Sequence, residues 1–179
     1  MSHAPIRIID STPPPNRYAR GWHCLGRASD FSNEPQRVDA FGTHLVVFRG
    51  ADGAARILDA ACPHMGGDLS MGQVEGDMVR CPYHRWGWGS DGYCKDIPYA
   101  KSIPPNARIK AWPSYEENQL LFVWNDPEGN APAVDVTVPR EELCHSEGWS
   151  DWVLEENVID VNCRELVDNM SDKAHFMTV

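Results

Sequence analysis

The middle of the chain alternates between short apolar runs and clusters of turn residues. Two of these runs, 45–48 and 56–58, are separated by the segment 50–53, which contains two glycines and an aspartate. Each run is long enough for a strand and too short for a typical helix. The spacing therefore predicts a β-hairpin with a tight turn.

A second hairpin is predicted farther along the chain. The runs 108–112 and 120–124 lie on either side of 116–119, which is polar and compatible with a turn. Short strands at this spacing indicate a mainly β structure with antiparallel sheets. We place this domain at 21–130, because 125–132 collects Pro, Gly and Asn without apolar periodicity.

The two ends of the chain differ from the β region. Residues 1–20 include three consecutive prolines and are expected to form an extended arm. Residues 131–179 are expected to begin a second domain, with possible strands at 152–154 and 158–161. Asn162 with Glu165 three residues later predicts a helix start, and apolar residues at helical spacing extend that helix to about 176.

Charge and composition indicate which partners and which cell compartment to expect. The formal net charge of −10 disfavours nucleic acids and anionic membranes. The chain shows no signal peptide and no apolar run long enough to span a membrane, so we expect a cytoplasmic protein. In that compartment its six cysteines are expected to bind metal or remain reduced rather than form disulfides.

Two short segments carry the chemistry. Cys62 and His64 lie in one, Cys81 and His84 in the other, and together they give the pattern C-x-H-x16-C-x-x-H. Each segment follows a predicted strand, so a loop on a rigid scaffold would present one thiolate and one imidazole. The sequence therefore predicts a metal centre shared by two loops.

Two kinds of metal centre fit these four ligands. Zinc accepts two thiolates and two imidazoles, but its usual finger spacing places two cysteines in one segment and two histidines in the other. In a Rieske [2Fe-2S] cluster two histidines replace two cysteines on one of the irons. Loops that each provide one Cys and one His favour the cluster, with Cys62 and Cys81 on one iron and His64 and His84 on the other. Zinc remains the alternative.

Neighbouring residues agree with a cluster site. Gly66 and Gly67 would let backbone N–H groups approach cluster sulfurs. Prolines after both cysteines would stiffen the loops. The nearby aromatic residues would either shield the cluster from water or simply pack in the core; they are Tyr83, Trp86 and Trp88.

Several segments resemble the N-terminal half of Rieske non-haem iron oxygenases. They are Gly21-Trp22, the run 45–49, Cys62-Pro63-His64, Cys81-Pro82-Tyr83-His84 with Trp86, and Ile97-Pro98. Residues 86–129 are most similar to the oxygenase component of bacterial 3-ketosteroid 9α-hydroxylases. The resemblance implies a Rieske fold at 21–130 and the start of an α+β helix-grip catalytic domain at 131–179.

The resemblance also assigns roles to three residues of the predicted helix. Asn169, Asp172 and His175 form the pattern N-x-x-D-x-x-H there. In isolation, a histidine near a helix end is more often a solvated residue. The family implies that His175 is a ligand of a mononuclear Fe(II) and that Asp172 bridges it to a cluster histidine of a neighbouring subunit in a homotrimer. The family's next histidine would fall just beyond Val179, so we expect a fragment of a longer enzyme, or else a truncated form limited to electron transfer.

By resemblance, the function is that of a terminal oxygenase in a multicomponent monooxygenase. A separate NADH-dependent reductase with flavin and an iron–sulfur centre would reduce the [2Fe-2S] cluster, which would reduce the mononuclear Fe(II) that activates O2. The expected substrate is a hydrophobic small molecule, and a 3-ketosteroid is favoured.

Two other functions remain to be weighed. A Rieske ferredoxin would carry electrons without oxygenase activity, but such carriers are shorter and lack the 169–175 segment. A respiratory Rieske subunit would have cysteines where this chain has Gly67 and Tyr83, and a membrane anchor.

Overall fold

The structure is a computed structural model that describes residues 18–153, 155, 158, 160, 161 and 163–173. Eleven strands are present in this part of the chain: β1 Gly21–Arg27, β2 Gln36–Ala40, β3 Thr43–Arg49, β4 Ala55–Asp59, β5 Gln73–Glu75, β6 Met78–Arg80, β7 Gly87–Gly89, β8 Cys94–Asp96, β9 Ala111–Trp112, β10 Ser114–Glu117 and β11 Leu120–Asn125. Short 3-10 helices span Ala28–Asp30, Leu69–Met71 and Glu142–His145, and the α-helix α1 spans Cys163–Ser171. The chain divides into two compact units, Met1–Trp149 and Ser150–Val179.

The strands of the first unit form three antiparallel sheets. The strand orders are β1-β11-β10, β2-β3-β4-β9 and β5-β6-β7-β8. The prediction of a mainly β structure with antiparallel sheets is therefore confirmed. Among the described residues, no helix has the length and apolar character needed to cross a membrane.

The middle sheet is buried on both faces. Leu45 and Val47 of β3 pack with Leu121 and Val123 of β11, whereas the alternate residues of β3 pack toward the third sheet. Successive side chains of a strand point to opposite faces, so a strand buried on both sides needs a continuous apolar run. This explains why 45–48 lacks polar alternation.

The two predicted hairpins have different outcomes. The first is confirmed, because β3 pairs with β4 in antiparallel register across the 50–53 turn. The second prediction was wrong in its partner: Ala111–Trp112 pairs with β4, and Ser114–Glu117 pairs with β11. Pro113 separates the two short strands, and the turn lies at Asn118 and Gln119, whose φ angles are 54° and 64°. Two residues with positive φ are typical of a tight type I′ hairpin turn.

The C-terminal predictions are partly outside the described residues. Helix α1 begins at Cys163 as predicted but ends at Ser171, before the predicted end near 176. The described residues of 152–161 are not in strands, contrary to the prediction, while Leu154 and Ile159 lie outside the described part. The arm at 1–17, Asn162 and His175 also lie outside it. The domain ranges 1–20, 21–130 and 131–179 remain predictions.

Candidate metal centre

Two six-residue loops extend from the middle and third sheets, and they contain the four predicted ligands. The first loop, 62–67, is closed by an antiparallel bridge between Ala61 and Asp68. Within it, the Cys62 N–H donates to the Gly67 carbonyl over 2.9 Å, and the Gly66 N–H donates back to the Cys62 carbonyl over 2.8 Å. Gly66 has a φ of 73°, in the left-handed region that favours glycine.

The second loop, 81–86, repeats this hydrogen-bond pattern. It is closed by the pairing of Arg80 with Gly87, where β6 meets β7. The Cys81 N–H donates to the Trp86 carbonyl over 2.9 Å, and the Arg85 N–H donates to the Cys81 carbonyl over 3.1 Å. Arg85 has a φ of 61°, so the fifth residue is left-handed in both loops.

The two cysteines lie side by side beneath the loops. Cys62 and Cys81 are each 2% exposed and belong to one core cluster. Burial raises the pKa of the Cys62 thiol, a hydrogen bond from the His64 backbone lowers it, and the neighbouring Cys81 thiol raises it. A buried thiol whose pKa is raised, as that of Cys62 is, would need a bound cation to stay deprotonated.

The two histidines lie at the exposed surface of the loops. The rings of His64 and His84 are 4.7 Å apart between centroids and inclined at 76°. The His64 ring also stacks on Trp86 at 4.5 Å with an interplanar angle of 10°. The site is thus segregated, with thiols inside and imidazoles outside. A single zinc ion would need both pairs to converge on one point, whereas a [2Fe-2S] cluster takes each pair on a different iron.

Two local features are compatible with a bound group that has sulfur ligands: a required glycine beside the Cys81 sulfur and an unpaired buried donor. A Cβ added at Gly67 would lie 2.8 Å from the Cys81 sulfur and 3.3 Å from the Tyr83 ring, so the close approach of the loops requires glycine there. The Trp88 indole nitrogen is fully buried and has no hydrogen-bond partner among the described residues. A buried donor of this kind is normally paired, which fits an acceptor supplied by the bound group.

Residues outside the motif hold the two loops. Arg80 is almost fully buried, donates to the Arg85 carbonyl over 3.0 Å, and forms ion pairs with Asp96 at 2.7 Å and with Glu75. It therefore ties the second loop to β5 and β8. Sequence reasoning missed Arg80, because only its position before Cys81 pointed to it.

The first loop is held by contacts of Asp68, the residue that directly follows it. Asp68 accepts hydrogen bonds from the backbone N–H and hydroxyl of Ser70, at 2.9 and 2.7 Å, and forms an ion pair with Arg37 at 3.3 Å. Burial raises the pKa of Asp68, but these hydrogen bonds hold it below its ordinary value. The end of the first loop is thereby fixed to a charged acceptor.

The three nearby aromatic residues have different roles. Trp88 is fully buried in the core cluster that contains both cysteines. Trp86 covers one face of His64 and donates to the Tyr99 hydroxyl over 2.6 Å. Tyr83 is 66% exposed and covers Gly67 rather than closing the site from solvent.

The predicted second iron site is described only in part. Asn169 lies on α1, and Asp172 directly follows the helix, with its backbone N–H donating to the Asn169 carbonyl over 3.2 Å. Both side chains are exposed. His175 lies outside the described residues, so its part in a metal site stays a prediction.

Comparisons with known proteins agree with this site. Residues 21–116 match the Rieske [2Fe-2S] domain, and residues 123–179 match the 3-ketosteroid 9alpha-hydroxylase C-terminal domain. The chain is 53% identical over 175 residues to a 3-ketosteroid-9-alpha-monooxygenase, oxygenase component, of Rhodococcus rhodochrous, covering 97% of this chain and 44% of the relative. The chain is also 51% identical over 176 residues to a 3-ketosteroid-9-alpha-monooxygenase, oxygenase component, of Mycolicibacterium smegmatis. This match covers 97% of this chain and 46% of the relative. The chain thus spans less than half the length of either relative.

A solved structure shows the same fold. Dicamba monooxygenase with non-heme iron and dicamba matches with a TM-score of 0.69 at 24% identity, over 87% of this chain and 47% of that one. The prediction of a [2Fe-2S] cluster rather than zinc is confirmed by the domain match, as is the resemblance to 3-ketosteroid 9α-hydroxylase oxygenase components. The chain belongs to the Rieske [2Fe-2S] domain family, in the group similar to those oxygenase components.

Proposed function

We propose that this chain is part of the terminal oxygenase of a multicomponent monooxygenase that hydroxylates a 3-ketosteroid. One observation carries the proposal: a two-loop centre of thiols and imidazoles is followed, in the same chain, by a match to the 3-ketosteroid 9alpha-hydroxylase C-terminal domain. A simple electron carrier accounts for the loops but not for the C-terminal match.

In this proposal the four loop residues hold the cluster. The buried pair, Cys62 and Cys81, binds the inner iron, and the exposed pair, His64 and His84, binds the outer one. When bound, the cluster supplies one-electron transfer, and imidazole ligation raises its potential above that of an all-cysteine cluster. Because both imidazoles are exposed, electrons would enter and leave the cluster at the protein surface.

The C-terminal segment carries the link to the second iron in this proposal. Asp172 would accept hydrogen bonds from His175 and from His64 or His84 of a neighbouring subunit in a homotrimer, and His175 would be one ligand of a mononuclear Fe(II). Asn169 near the end of α1 and Asp172 directly after it are joined by a backbone hydrogen bond of 3.2 Å, so the two residues lie close together. Both positions match the family pattern N-x-x-D-x-x-H.

The partners follow from the same proposal. An NADH-dependent reductase with flavin and an iron–sulfur centre supplies electrons, and O2 provides one oxygen atom to the steroid and one to water. Cytoplasmic location is supported by the free thiols of Cys24, Cys94 and Cys144, which are expected in a reducing compartment.

The test is substrate-dependent oxygen consumption by the gene product that contains this chain, supplied with such a reductase, NADH and a 3-ketosteroid. We expect O2 uptake matched by hydroxylated steroid. In Asp172→Asn we expect the cluster to be reduced normally while hydroxylation falls at least about a hundredfold, since the connection between centres is cut. Asp168→Asn, one turn earlier on α1, is the control and should keep activity.

Two outcomes would contradict the proposal. Reduction of the cluster without any steroid-dependent O2 uptake would indicate an electron carrier. Full hydroxylation by Asp172→Asn would remove the bridging role while leaving the oxygenase assignment in place.

A further inference from the structure

Trp86 joins the two loops of the metal centre. Its backbone closes the second loop, because the Trp86 carbonyl accepts a hydrogen bond from the Cys81 N–H over 2.9 Å. Its side chain lies on the first loop instead, where the indole stacks on the His64 ring with 4.5 Å between centroids and an interplanar angle of 10°. A single side chain of the second loop therefore covers one face of an imidazole that belongs to the first loop.

The orientation of the His64 ring depends on its surroundings. The torsion that turns an imidazole about its bond to Cβ has a broad energy profile, so neighbouring groups must set the plane of the ring. The lone pair of a ring nitrogen lies in that plane, and a histidine binds a metal only within it. The flat face of His64 is supported by the indole of Trp86, whereas the contacts of the His84 ring with His64 and Tyr83 are edge-on, at 76° and 87°.

The indole of Trp86 is itself held by two aromatic neighbours. It packs at 5.9 Å between ring centroids against Trp88, which is fully buried, and its N–H donates to the hydroxyl of Tyr99 over 2.6 Å. Tyr99 lies in a turn that is closed by the Ala100 N–H donating to the Ile97 carbonyl over 3.0 Å. Ile97 is buried in the core cluster that contains both cysteines. Tyr99 is thus fixed near the core by its backbone and bound to Trp86 by its hydroxyl.

We propose that Tyr99 is a positioning residue for His64: its hydroxyl fixes the indole of Trp86, and the indole fixes the plane in which His64 binds the outer iron. This inference rests on the ligand set given under the proposed function. Residues behind a metal ligand commonly set its orientation in this way. Because the stacking contact is made by His64 and not by His84, loss of the Tyr99 hydroxyl should affect one imidazole ligand and spare the other.

Tyr99→Phe tests the proposal, because it removes one hydroxyl from an exposed side chain. In protein with 15N-labelled histidine, pulsed EPR of the reduced cluster should resolve one 15N coupling for each imidazole ligand. In Tyr99→Phe we expect one coupling to broaden about twofold, since the hydrogen bond that is lost is stronger than thermal energy, while the other keeps its width. Tyr93→Phe is the matched control: Tyr93 is also exposed, and its ring lies 5.8 Å from the Lys95 ammonium. The control should leave both couplings unchanged.

A double variant tests whether Tyr99 acts through Trp86. Trp86→Phe loses the same hydrogen bond from its donor side and should broaden the same coupling. Adding Tyr99→Phe to Trp86→Phe should then cause no further broadening, because substitutions that remove one shared interaction are not additive. A general effect of Tyr99 on the fold would add in both backgrounds. Unchanged widths in Tyr99→Phe, or the full additional broadening in the double variant, would overturn the proposal.

The cluster-loaded wild-type protein decides the matter if Tyr99→Phe loses its cluster. A crystal structure of that protein should show the Trp86 N–H bonded to the Tyr99 hydroxyl and the indole stacked on His64. The absence of either contact would overturn the proposal. Failure of the ligand assignment looks different, because wild-type protein would then lack a Rieske spectrum altogether.

Discussion

The first and second loops have the same backbone hydrogen bonds but are stabilised by different means. In the first loop the left-handed position is Gly66, which adopts its φ of 73° at little cost. In the second loop the equivalent residue is Arg85, with a φ of 61°, where a side chain makes this conformation unfavourable by about 1–2 kcal/mol. The second loop therefore needs support from elsewhere.

That support comes from Arg80, whose guanidinium donates to the carbonyl of the strained Arg85. The first loop has no strained side chain at the corresponding position, and it ends on the short-range contacts of Asp68 with Ser70. The comparison shows that the same loop geometry can be reached in two ways. In the first loop a glycine, Gly66, adopts the left-handed conformation easily, and in the second loop a buried charged residue, Arg80, supports it. This difference also predicts that the two loops respond differently to substitution.

The largest effect is expected from removing a proposed ligand. Cys81→Ala should lose most of its iron and acid-labile sulfide, because one thiolate cannot hold the inner iron. Cys94→Ala is the control: Cys94 is buried in the same core cluster but lies outside both loops, so this variant should keep its metal. Metal and sulfide analysis distinguishes the two. Loss of iron from Cys94→Ala with retention in Cys81→Ala would invalidate the ligand set.

Replacing an imidazole should change the potential rather than abolish binding. In His84→Cys, if the cluster is retained, the visible spectrum should shift toward that of an all-cysteine cluster, and the midpoint potential should fall by roughly 100 mV or more, since histidine ligation raises it. His145→Cys, a histidine outside both loops, provides the control. An unchanged potential in His84→Cys would show that His84 does not ligate the cluster.

The anchor of the second loop is tested by Arg80→Gln. This change removes charged hydrogen bonds to Asp96, Glu75 and the Arg85 carbonyl, and we expect a loss of about 2 kcal/mol in the free energy of unfolding. The thermal midpoint should fall by about 6 °C, and the cluster should be released faster. Arg56→Gln removes an ion pair with the exposed carboxylate of Asp52 and should change stability by less than about 1 kcal/mol. Equal midpoints for the two variants would argue against an anchoring role.

Parts of this site could be predicted from the sequence because they are local. Cys, Pro and His occur in the same order in each segment, and this order alone predicts a loop and its candidate ligands. The contribution of Arg80 could not be predicted, since Asp96 is sixteen residues away and is brought near only by the pairing of β7 with β8. The missing partner of Trp88 Nε1 is likewise a property of the packed core.

The error in the second hairpin has a similar origin. The runs 108–112 and 120–124 are neighbours in sequence, and for that reason the pattern predicts that they pair with each other. In the structure, Trp112 pairs with Ile57 of β4 and packs into the core beside β11. Hydrophobic pattern identifies strands well, but it does not say which sheet each will join when a proline such as Pro113 allows the chain to change sheets.

The smallest effect, and the sharpest comparison of the two loops, comes from exchanging their left-handed residues. Gly66→Ala should lower the free energy of unfolding by about 1–2 kcal/mol: its Cβ would meet no atom within 4 Å, but its φ of 73° remains unfavourable for alanine. Arg85→Gly should change the free energy of unfolding by no more than about 0.5 kcal/mol. Glycine relieves the strain of the left-handed conformation, which is favourable. This gain is offset by the loss of the exposed hydrogen bond to Gln73 and by the greater freedom of glycine in the unfolded chain. Urea unfolding of both variants measures the difference. If Arg85→Gly were as destabilising as Gly66→Ala, the left-handed arginine would not be a strained position, and Arg80 would be holding the second loop for some other reason.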